Sequence, residues 1–158
     1  GTGRGERLVP VPTPATHTWV VATAHEGLST PSVFGRFDEL GDVHEVCVPT
    51  PLIAALATSD AEDIADVMGN DLQPAAVSLR PDLADVLAQG RRAGARAALV
   101  SGSGPTIAML CRDAEHALEV ATAVSVSGKA SATMTTTTPA GHARLADAAV
   151  IRESGLTE

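Results

Sequence analysis

A run of small and hydroxyl-bearing residues, Ser-Gly-Ser-Gly-Pro-Thr at positions 101–106, is the stretch of this sequence whose residue types best suit binding chemistry. Successive backbone N–H groups, together with the hydroxyls of Ser101, Ser103 and Thr106, would form a concave cradle for a phosphate or a carboxylate. The glycines would let such a group approach the backbone closely. The sequence therefore predicts an anion-binding loop, and a plain turn between two strands is the alternative that stays open.

The glycines of this stretch, Gly102 and Gly104, do not belong to either of the two best-known phosphate loops. A P-loop of the Walker type needs Lys followed by Ser or Thr after its last glycine, where this chain has Pro105 and Thr106. A dinucleotide-binding fingerprint needs a third glycine that opens a helix, but residues 107–111 are typical of a strand. Both loop types are therefore excluded.

The composition is that of one globular domain with few aromatic side chains. The chain has 158 residues, of which 44% are hydrophobic, enough for a sizeable core. It has 11 basic and 19 acidic residues, for a net charge of -8, and its aromatic residues are Trp19, Phe34 and Phe37. The deficit of positive charge and of stacking side chains argues against nucleic-acid binding, so we expect no nucleic-acid partner.

The cysteines and the hydrophobic runs indicate a cytoplasmic protein. Cys47 and Cys111 form no disulfide framework, and neither they nor the five scattered histidines show a spacing typical of a metal site. No run reaches the ~18 apolar residues of a membrane span, and no signal segment opens the chain. We therefore expect a cytoplasmic location, no membrane association and no metal ligands in this chain.

Hydrophobic periodicity predicts the elements that would position the 101–106 loop. A β-branched apolar run at 18–24 predicts a buried strand. Ser29 or Thr30 would cap a following helix with Pro31 in its first turn. The apolar stripe of that helix consists of Val33, Phe34, Phe37 and Leu40.

The remaining elements complete a known pattern of strands and helices. They are short helices at 51–57 and 60–68, a helix opened by Asn70 or Asp71, a helix at 81–94, strands at 97–100 and 107–111, a helix from Asp113 to near Gly128 and a strand within 131–138. A helix cap is the favoured interpretation of Asn70. The order is the split β-α-β-β-α-β pattern of a ferredoxin-like α+β layer with an enlarged first crossover. We expect one antiparallel sheet with helices on one face.

Three segments together resemble the C-terminal half of the GHMP kinases. They are Gly-Thr-Gly-Arg-Gly-Glu-Arg-Leu at 1–8, Asn-Asp-Leu-Gln at 70–73 and Val-Ser-Gly-Ser-Gly-Pro-Thr at 100–106, in the order and spacing of that family. The similarity is greatest to the actinobacterial branch whose substrate is 4-diphosphocytidyl-2-C-methyl-D-erythritol, a cytidine-diphosphate methylerythritol. The resemblance implies a leading segment from an N-terminal domain at 1–16, a GHMP kinase C-terminal domain at 17–140 and a loose tail at 141–158.

The resemblance also implies an activity and its cofactors. The reaction would be ATP-dependent transfer of a γ-phosphoryl group to the 2-hydroxyl of that small-molecule substrate, a step of non-mevalonate isoprenoid synthesis. ATP and Mg²⁺ are the implied cofactors, because phosphoryl transfer depends on positioning and on neutralising phosphate charge. The resemblance places most of their binding in an N-terminal half.

Site residues follow from the same resemblance, position by position. The phosphate-cleft loop would consist of Ser101, Gly102, Ser103, Gly104 and Thr106. A Thr-Pro pair followed by an aromatic residue contacts the cytosine base in that family, and it maps onto Thr30, Pro31 and Phe34. Phe34 would stack on the base, and packing of Phe34 in the core is the alternative that helical spacing leaves open.

The resemblance assigns no catalytic residue to this chain. The family's early lysine, its glycine- and serine-rich ATP motif and its proposed catalytic aspartate all precede the region that matches Gly1. An N-terminal kinase domain is therefore the implied partner, and the chain alone would be inactive. The rival hypothesis is a free-standing ferredoxin-like module that binds a small anion or a partner without catalysis.

Overall fold

Strands and helices follow one another along the chain in the order that the sequence predicts. The computed structural model describes residues 10, 11, 13–41, 49–58 and 60–139. Its elements are β1 (His17–Thr23), α1 (Thr30–Leu40), α2 (Thr50–Leu56), α3 (Ala61–Ala65), α4 (Gln73–Leu79), α5 (Asp82–Arg92), β2 (Ala97–Val100), β3 (Ile107–Cys111), α6 (Ala114–Val126) and β4 (Ala132–Thr138). Most of the expected leading segment, Cys47 and the expected tail lie outside the described residues.

The strands form a four-stranded antiparallel sheet in the order β2-β3-β1-β4. Trp19 of β1 lies opposite Leu110 of β3 and Thr136 of β4, while Val100 pairs with Ile107 in the β2–β3 hairpin. This order confirms the predicted ferredoxin-like α+β layer. The 101–106 loop is the connection of that hairpin.

The larger hydrophobic core lies between the sheet and the helices α4, α5 and α6. Alternate residues of β1 and β3 face it, and Val20, Ala22, Ile107 and Met109 are at most 1% exposed. The helices contribute the buried residues Ala75, Ala76, Leu83, Val86, Leu87, Ala117, Val120 and Val124. Burial of each larger side chain favours the folded state by roughly 1.5–3 kcal/mol. The β2–β3 hairpin that carries the 101–106 loop therefore packs on a stable core.

The opposite face of the sheet is also partly covered, which corrects the expectation of helices on one face only. Trp19 and Leu110 alternate with Val20 and Met109 along their strands, so they point away from the larger core. They belong to a second cluster with Ile64 and further residues of α2 and α3. Large apolar side chains on that face need cover from water, and the enlarged crossover supplies it.

Helix α1 buries a narrower face than its apolar stripe predicts. Val33 is fully buried and Phe37 packs against the larger core, as expected for residues four positions apart. Phe34 and Leu40 are instead 51% and 38% exposed. The helix contacts α4 rather than the centre of the sheet, so only one narrow stripe of it is covered. Within the described ranges, each helix is too short or too polar to cross a membrane.

Candidate functional site

The 101–106 loop is a tight turn whose backbone conformation depends on its glycines. The N–H of Ser101 donates to the carbonyl of Thr106 at 2.8 Å, and the N–H of Gly104 donates to the carbonyl of Ser101 at 2.9 Å. Gly102 and Gly104 have φ angles of +56° and +78°, in the left-handed region where a side chain is strained. The predicted turn between antiparallel strands is therefore present.

The same turn leaves polar groups available for a ligand. The backbone N–H groups of Gly102 and Ser103 have no hydrogen-bond partner among the described residues. Ser101 and Gly102 are exposed, whereas Ser103 and Thr106 are half-buried. A hairpin turn and an anion cradle are compatible here. The turn uses the N–H groups of Ser101 and Gly104, whereas an anion would bind to those of Gly102 and Ser103.

Two amide side chains hold this loop, and the sequence-based interpretation missed them. The Nδ2 group of Asn70 donates to the carbonyls of Val100 and Gly102 at 2.7 and 2.8 Å. The Oε1 atom of Gln73 accepts from the N–H of Val100 at 2.9 Å. The predicted role of Asn70 as a helix cap is wrong, because the cap residue of α4 is Leu72, which makes no side-chain cap hydrogen bond. The Oδ1 atom of Asn70 instead accepts from the N–H of Leu72 in the turn before the helix. No sequence signal identifies the contacts of its Nδ2 group, since their partners lie 30 and 32 residues further on.

The structure brings the two groups of predicted site residues together. The Oγ1 atom of Thr30 and the Oγ atom of Ser103 lie 2.9 Å apart and share a hydrogen bond. Thr30 is the first residue of α1, with Pro31 in the first turn, so the helix N-terminus meets the loop. Ser29 has the extended conformation of a cap residue, but its side chain makes no cap hydrogen bond.

Phe34 lies one helical turn beyond this contact. It is four residues from Thr30, so both side chains are on the same face of α1. Its side chain is 51% exposed, in contrast to the fully buried Val33 beside it. The ring is therefore accessible to a ligand on the side of α1 that meets the loop, and core packing does not occupy it.

The junction between the start of α1 (residues 29–35) and the 101–106 loop has no side chain that could donate or accept a proton in catalysis near neutral pH. Residues 29–35 and 101–106 include no titratable side chain. In the part of the chain that the structure describes, no group of three or more His, Cys, Asp or Glu side chains is placed to hold a metal ion. The arrangement can bind and orient a ligand, but it offers no general base.

An ion pair between Arg80 and Asp82 contacts the loop that leads to Thr30. The guanidinium Nε and Nη2 atoms of Arg80 donate to the carboxylate of Asp82 at 2.8 and 2.6 Å. This hydrogen bonding lowers the pKa of Asp82 below its ordinary value. The Nη1 atom of Arg80 donates to the carbonyls of Glu26 and Gly27, in the loop that leads to Thr30.

Comparisons with known proteins place this chain in one family. The profile described as "GHMP kinases C terminal" matches residues 52–130, half of the chain. The chain is 50% identical over 151 residues to "4-diphosphocytidyl-2-C-methyl-D-erythritol kinase" of Corynebacterium jeikeium, an alignment that covers 90% of this chain and 42% of that protein. The protein of the same name from Streptomyces avermitilis is 55% identical over 133 residues, or 81% of this chain and 44% of the relative.

Solved structures show the same relationship. The crystal structure of a 4-(cytidine 5'-diphospho)-2C-methyl-D-erythritol kinase superposes with a TM-score of 0.70 at 27% identity, covering 85% of this chain and 47% of that one. Mevalonate kinase of L. major has a TM-score of 0.69 at 16% identity over 85% of this chain and 46% of its own, a likeness of fold alone. The chain thus spans less than half the length of the relatives it matches. On the family profile, the fold and the sequence identities together, this chain belongs to the GHMP kinase C-terminal family.

Proposed function

We propose that this chain is the C-terminal portion of an ATP-dependent kinase that phosphorylates the 2-hydroxyl of 4-diphosphocytidyl-2-C-methyl-D-erythritol. The names of the relatives at about half identity support this substrate. The observation that carries the proposal is the contact between Thr30 and Ser103. It joins the residues proposed for the base of the substrate to the loop proposed for the phosphates.

On the substrate side, α1 presents the hydroxyl of Thr30, the ring of Pro31 and the exposed ring of Phe34. We propose that Phe34 stacks on the cytosine base, since an aromatic ring that is half exposed at a ligand site gains contact area when a base covers it. Thr30 and Pro31 would border the same base at the N-terminus of the helix. None of these groups can transfer a proton at neutral pH, so their contribution is binding and orientation.

On the phosphate side, the loop contributes backbone donors. The free N–H groups of Gly102 and Ser103 fit phosphate oxygens, and the glycine allows such an oxygen to come close. The hydroxyls of Ser101, Ser103 and Thr106, with Gly104 as the second turn residue, would complete the phosphate cleft. Because phosphoryl transfer depends on positioning and charge stabilisation, such donors contribute to the rate without taking a proton.

The remaining parts of the site would come from an N-terminal portion of the enzyme. The described residues hold no metal-binding cluster, so Mg²⁺ would be bound mainly through ATP phosphates and that other portion. When bound, the metal ion neutralises phosphate charge. We propose residues 17–140 as the C-terminal domain, 1–16 as the connection to the N-terminal domain, 141–158 as a tail, and the cytoplasm as the location.

The test compares the complete reading frame that contains these 158 residues with the 158-residue chain alone. Each purified protein is mixed with ATP, Mg²⁺ and 4-diphosphocytidyl-2-C-methyl-D-erythritol, and formation of ADP and of the 2-phosphate is followed by ³¹P NMR. We expect turnover by the complete protein and none by the chain alone above a heat-denatured control. Turnover of ATP by the chain alone, or a complete protein without this activity, would contradict the proposal, and the second result would favour the free-standing module.

A further inference from the structure

The loop that joins β1 to α1 ends on the residues proposed for substrate binding, and an arginine from another part of the chain holds its backbone. Arg80 follows the last residue of α4, and its Nη1 atom donates to the carbonyls of Glu26 and Gly27 at 2.9 and 3.1 Å. The side chain of Arg80 is only 15% exposed. Since these carbonyls lie more than 50 residues away in sequence, the contact fixes the loop against the α4–α5 corner.

Asp82 fixes the orientation of the guanidinium group. The two planar N–H···O bonds between Arg80 and Asp82 form a bidentate pair, which restrains rotation of the guanidinium plane. The carboxylate of Glu26 lies 4.0 Å from Nη1 and is largely exposed. Nη1, the guanidinium nitrogen that does not bond to Asp82, therefore faces the backbone of the β1–α1 loop.

Residues that follow this contact touch the phosphate-side loop. Leu28 packs against the larger core, and its Cδ2 atom lies 3.6 Å from the position that a Cβ atom would take on Gly104. Two residues later, Thr30 shares its hydrogen bond with Ser103. A shift of the backbone at Gly27 would therefore move both the support beneath Gly104 and the start of α1.

We propose that Arg80 is a positioning residue for the cytidine side of the site: through the carbonyls of Glu26 and Gly27 it sets the position of Thr30, Pro31 and Phe34 relative to the 101–106 loop. This inference rests on the proposed function for its substrate. Among the described residues, the side-chain hydrogen bonds of Arg80 go to Asp82, Glu26 and Gly27, and none goes to the 101–106 loop. Arg80 restricts the N-terminus of α1 to few conformations before a ligand binds, so binding costs less conformational entropy.

The chain offers a matched control for this arginine. Arg112 also pairs with the carboxylate of a neighbouring residue, Asp113, through its Nε atom at 2.9 Å. Unlike Arg80, Arg112 makes no hydrogen bond to the β1–α1 loop. The Arg112→Gln variant therefore removes an arginine–aspartate pair without affecting the backbone that leads to α1.

Hydrogen exchange on the 158-residue chain tests the positioning itself. In Arg80→Gln, we expect the peptides that cover residues 24–33 and 101–106 to exchange about tenfold faster, because loss of the donor frees the loop backbone. Peptides from α6 should keep their rates, Arg80→Lys should restore part of the protection, and Arg112→Gln should change neither loop. Unchanged exchange at 24–33, or an equal increase at every peptide in both Arg80→Gln and Arg80→Lys, would overturn the inference.

Steady-state kinetics on the complete enzyme test the consequence for the substrate. Arg80→Gln should raise the KM for 4-diphosphocytidyl-2-C-methyl-D-erythritol about tenfold, with kcat and the KM for ATP within about twofold of the parent. Arg80→Lys should lie between the two, and Arg112→Gln should match the parent. An active parent whose Arg80→Gln variant keeps its KM would contradict this inference alone, whereas an inactive parent would contradict the proposed function together with the substrate assignment.

Discussion

The hydroxyl oxygens of Thr30 and Ser103 lie 2.9 Å apart although 73 residues separate them in sequence. One belongs to the N-terminus of α1 and the other to the β2–β3 loop, so the contact joins a helix start to a turn. Neither side chain is charged, and the bond is exposed, so its own contribution to stability is at most about 1 kcal/mol. Its importance is geometric, because it fixes the distance between the two halves of the proposed site.

The two glycines of the loop should differ in their tolerance of substitution. Gly102→Ala should lower the free energy of unfolding by about 1–2 kcal/mol, because its φ of +56° is strained for alanine while no atom obstructs the new methyl group. Gly104→Ala should cost about 2–4 kcal/mol, because the added Cβ would also lie 2.9 Å from Cγ1 of Val100. Urea unfolding of each variant measures both values.

Gly35→Ala is the matched control for these two substitutions. Gly35 is inside α1, and an added Cβ would meet nothing within 4 Å. Alanine favours a helix over glycine by roughly 0.5–1 kcal/mol, so this variant should be more stable than the parent. Equal losses for Gly102→Ala and Gly104→Ala, or a loss at Gly35, would contradict the local geometry described here.

Asn70 should be sensitive to the loss of its amide donors. In Asn70→Asp, a carboxylate would replace the amide group that donates to the carbonyls of Val100 and Gly102. Repulsion and two unsatisfied acceptors should lower the free energy of unfolding by about 1–3 kcal/mol. Chemical denaturation at neutral pH, where the new aspartate is ionised, provides the measurement.

Gln73→Glu serves as the control for Asn70→Asp. The same amide-to-carboxylate change at Gln73 keeps an oxygen that can accept from the N–H of Val100, so stability should change by no more than about 0.5 kcal/mol. If the two variants lose the same stability, the donors of Asn70 do not hold the loop as the distances indicate.

Cys111 should make stability depend on pH in the alkaline range. Burial raises the pKa of its thiol to about 11, above that of an unfolded cysteine. Both states are protonated at lower pH, so the full stability is present there and is lost as pH rises from about 9 to about 11. The loss attributable to this thiol should be about 2 kcal/mol at pH 10.5 and approach about 3 kcal/mol at higher pH.

A comparison of two proteins isolates this effect of Cys111. Urea unfolding at pH 8 and pH 10.5 is measured for Cys47→Ser and for Cys47→Ser with Cys111→Ala, so that other titrating groups are common to both. The free energy of unfolding should fall more steeply in the protein that keeps Cys111. Parallel pH profiles would show that the buried thiol ionises as readily in the folded state as in the unfolded one.

Local signals were sufficient to predict most elements of the fold. Asp113 was predicted to cap α6, and its Oδ1 atom accepts from the N–H of His116 at 2.8 Å. The apolar run in β1 and the helical periodicity of α5 also led to the observed elements. These features depend on residues within one or two turns of each other, which is the range over which sequence patterns are informative.

Features that depend on distant partners could not be predicted in the same way. Helical spacing placed Phe34 on the same apolar stripe as Val33, because periodicity gives the faces of a helix but not the depth at which it packs. The cover that α2 and α3 give Trp19 depends on the course of the chain after α1. The contacts of Asn70 and Arg80 with carbonyls far away in sequence have no local signature.

The kinetics of Phe34→Ala in the complete enzyme test the proposed cytidine site most directly. Loss of base stacking should raise the KM for 4-diphosphocytidyl-2-C-methyl-D-erythritol about tenfold or more, because such stacking contributes roughly 1–3 kcal/mol. The half-exposed ring contributes little to the core, so kcat, the KM for ATP and the melting temperature should stay close to those of the parent. The control is Leu40→Ala, at the partly exposed far end of the same helix, which should leave every parameter nearly unchanged. An unchanged KM in Phe34→Ala, or a loss of activity that only follows the loss of folded protein, would contradict the proposed cytidine site.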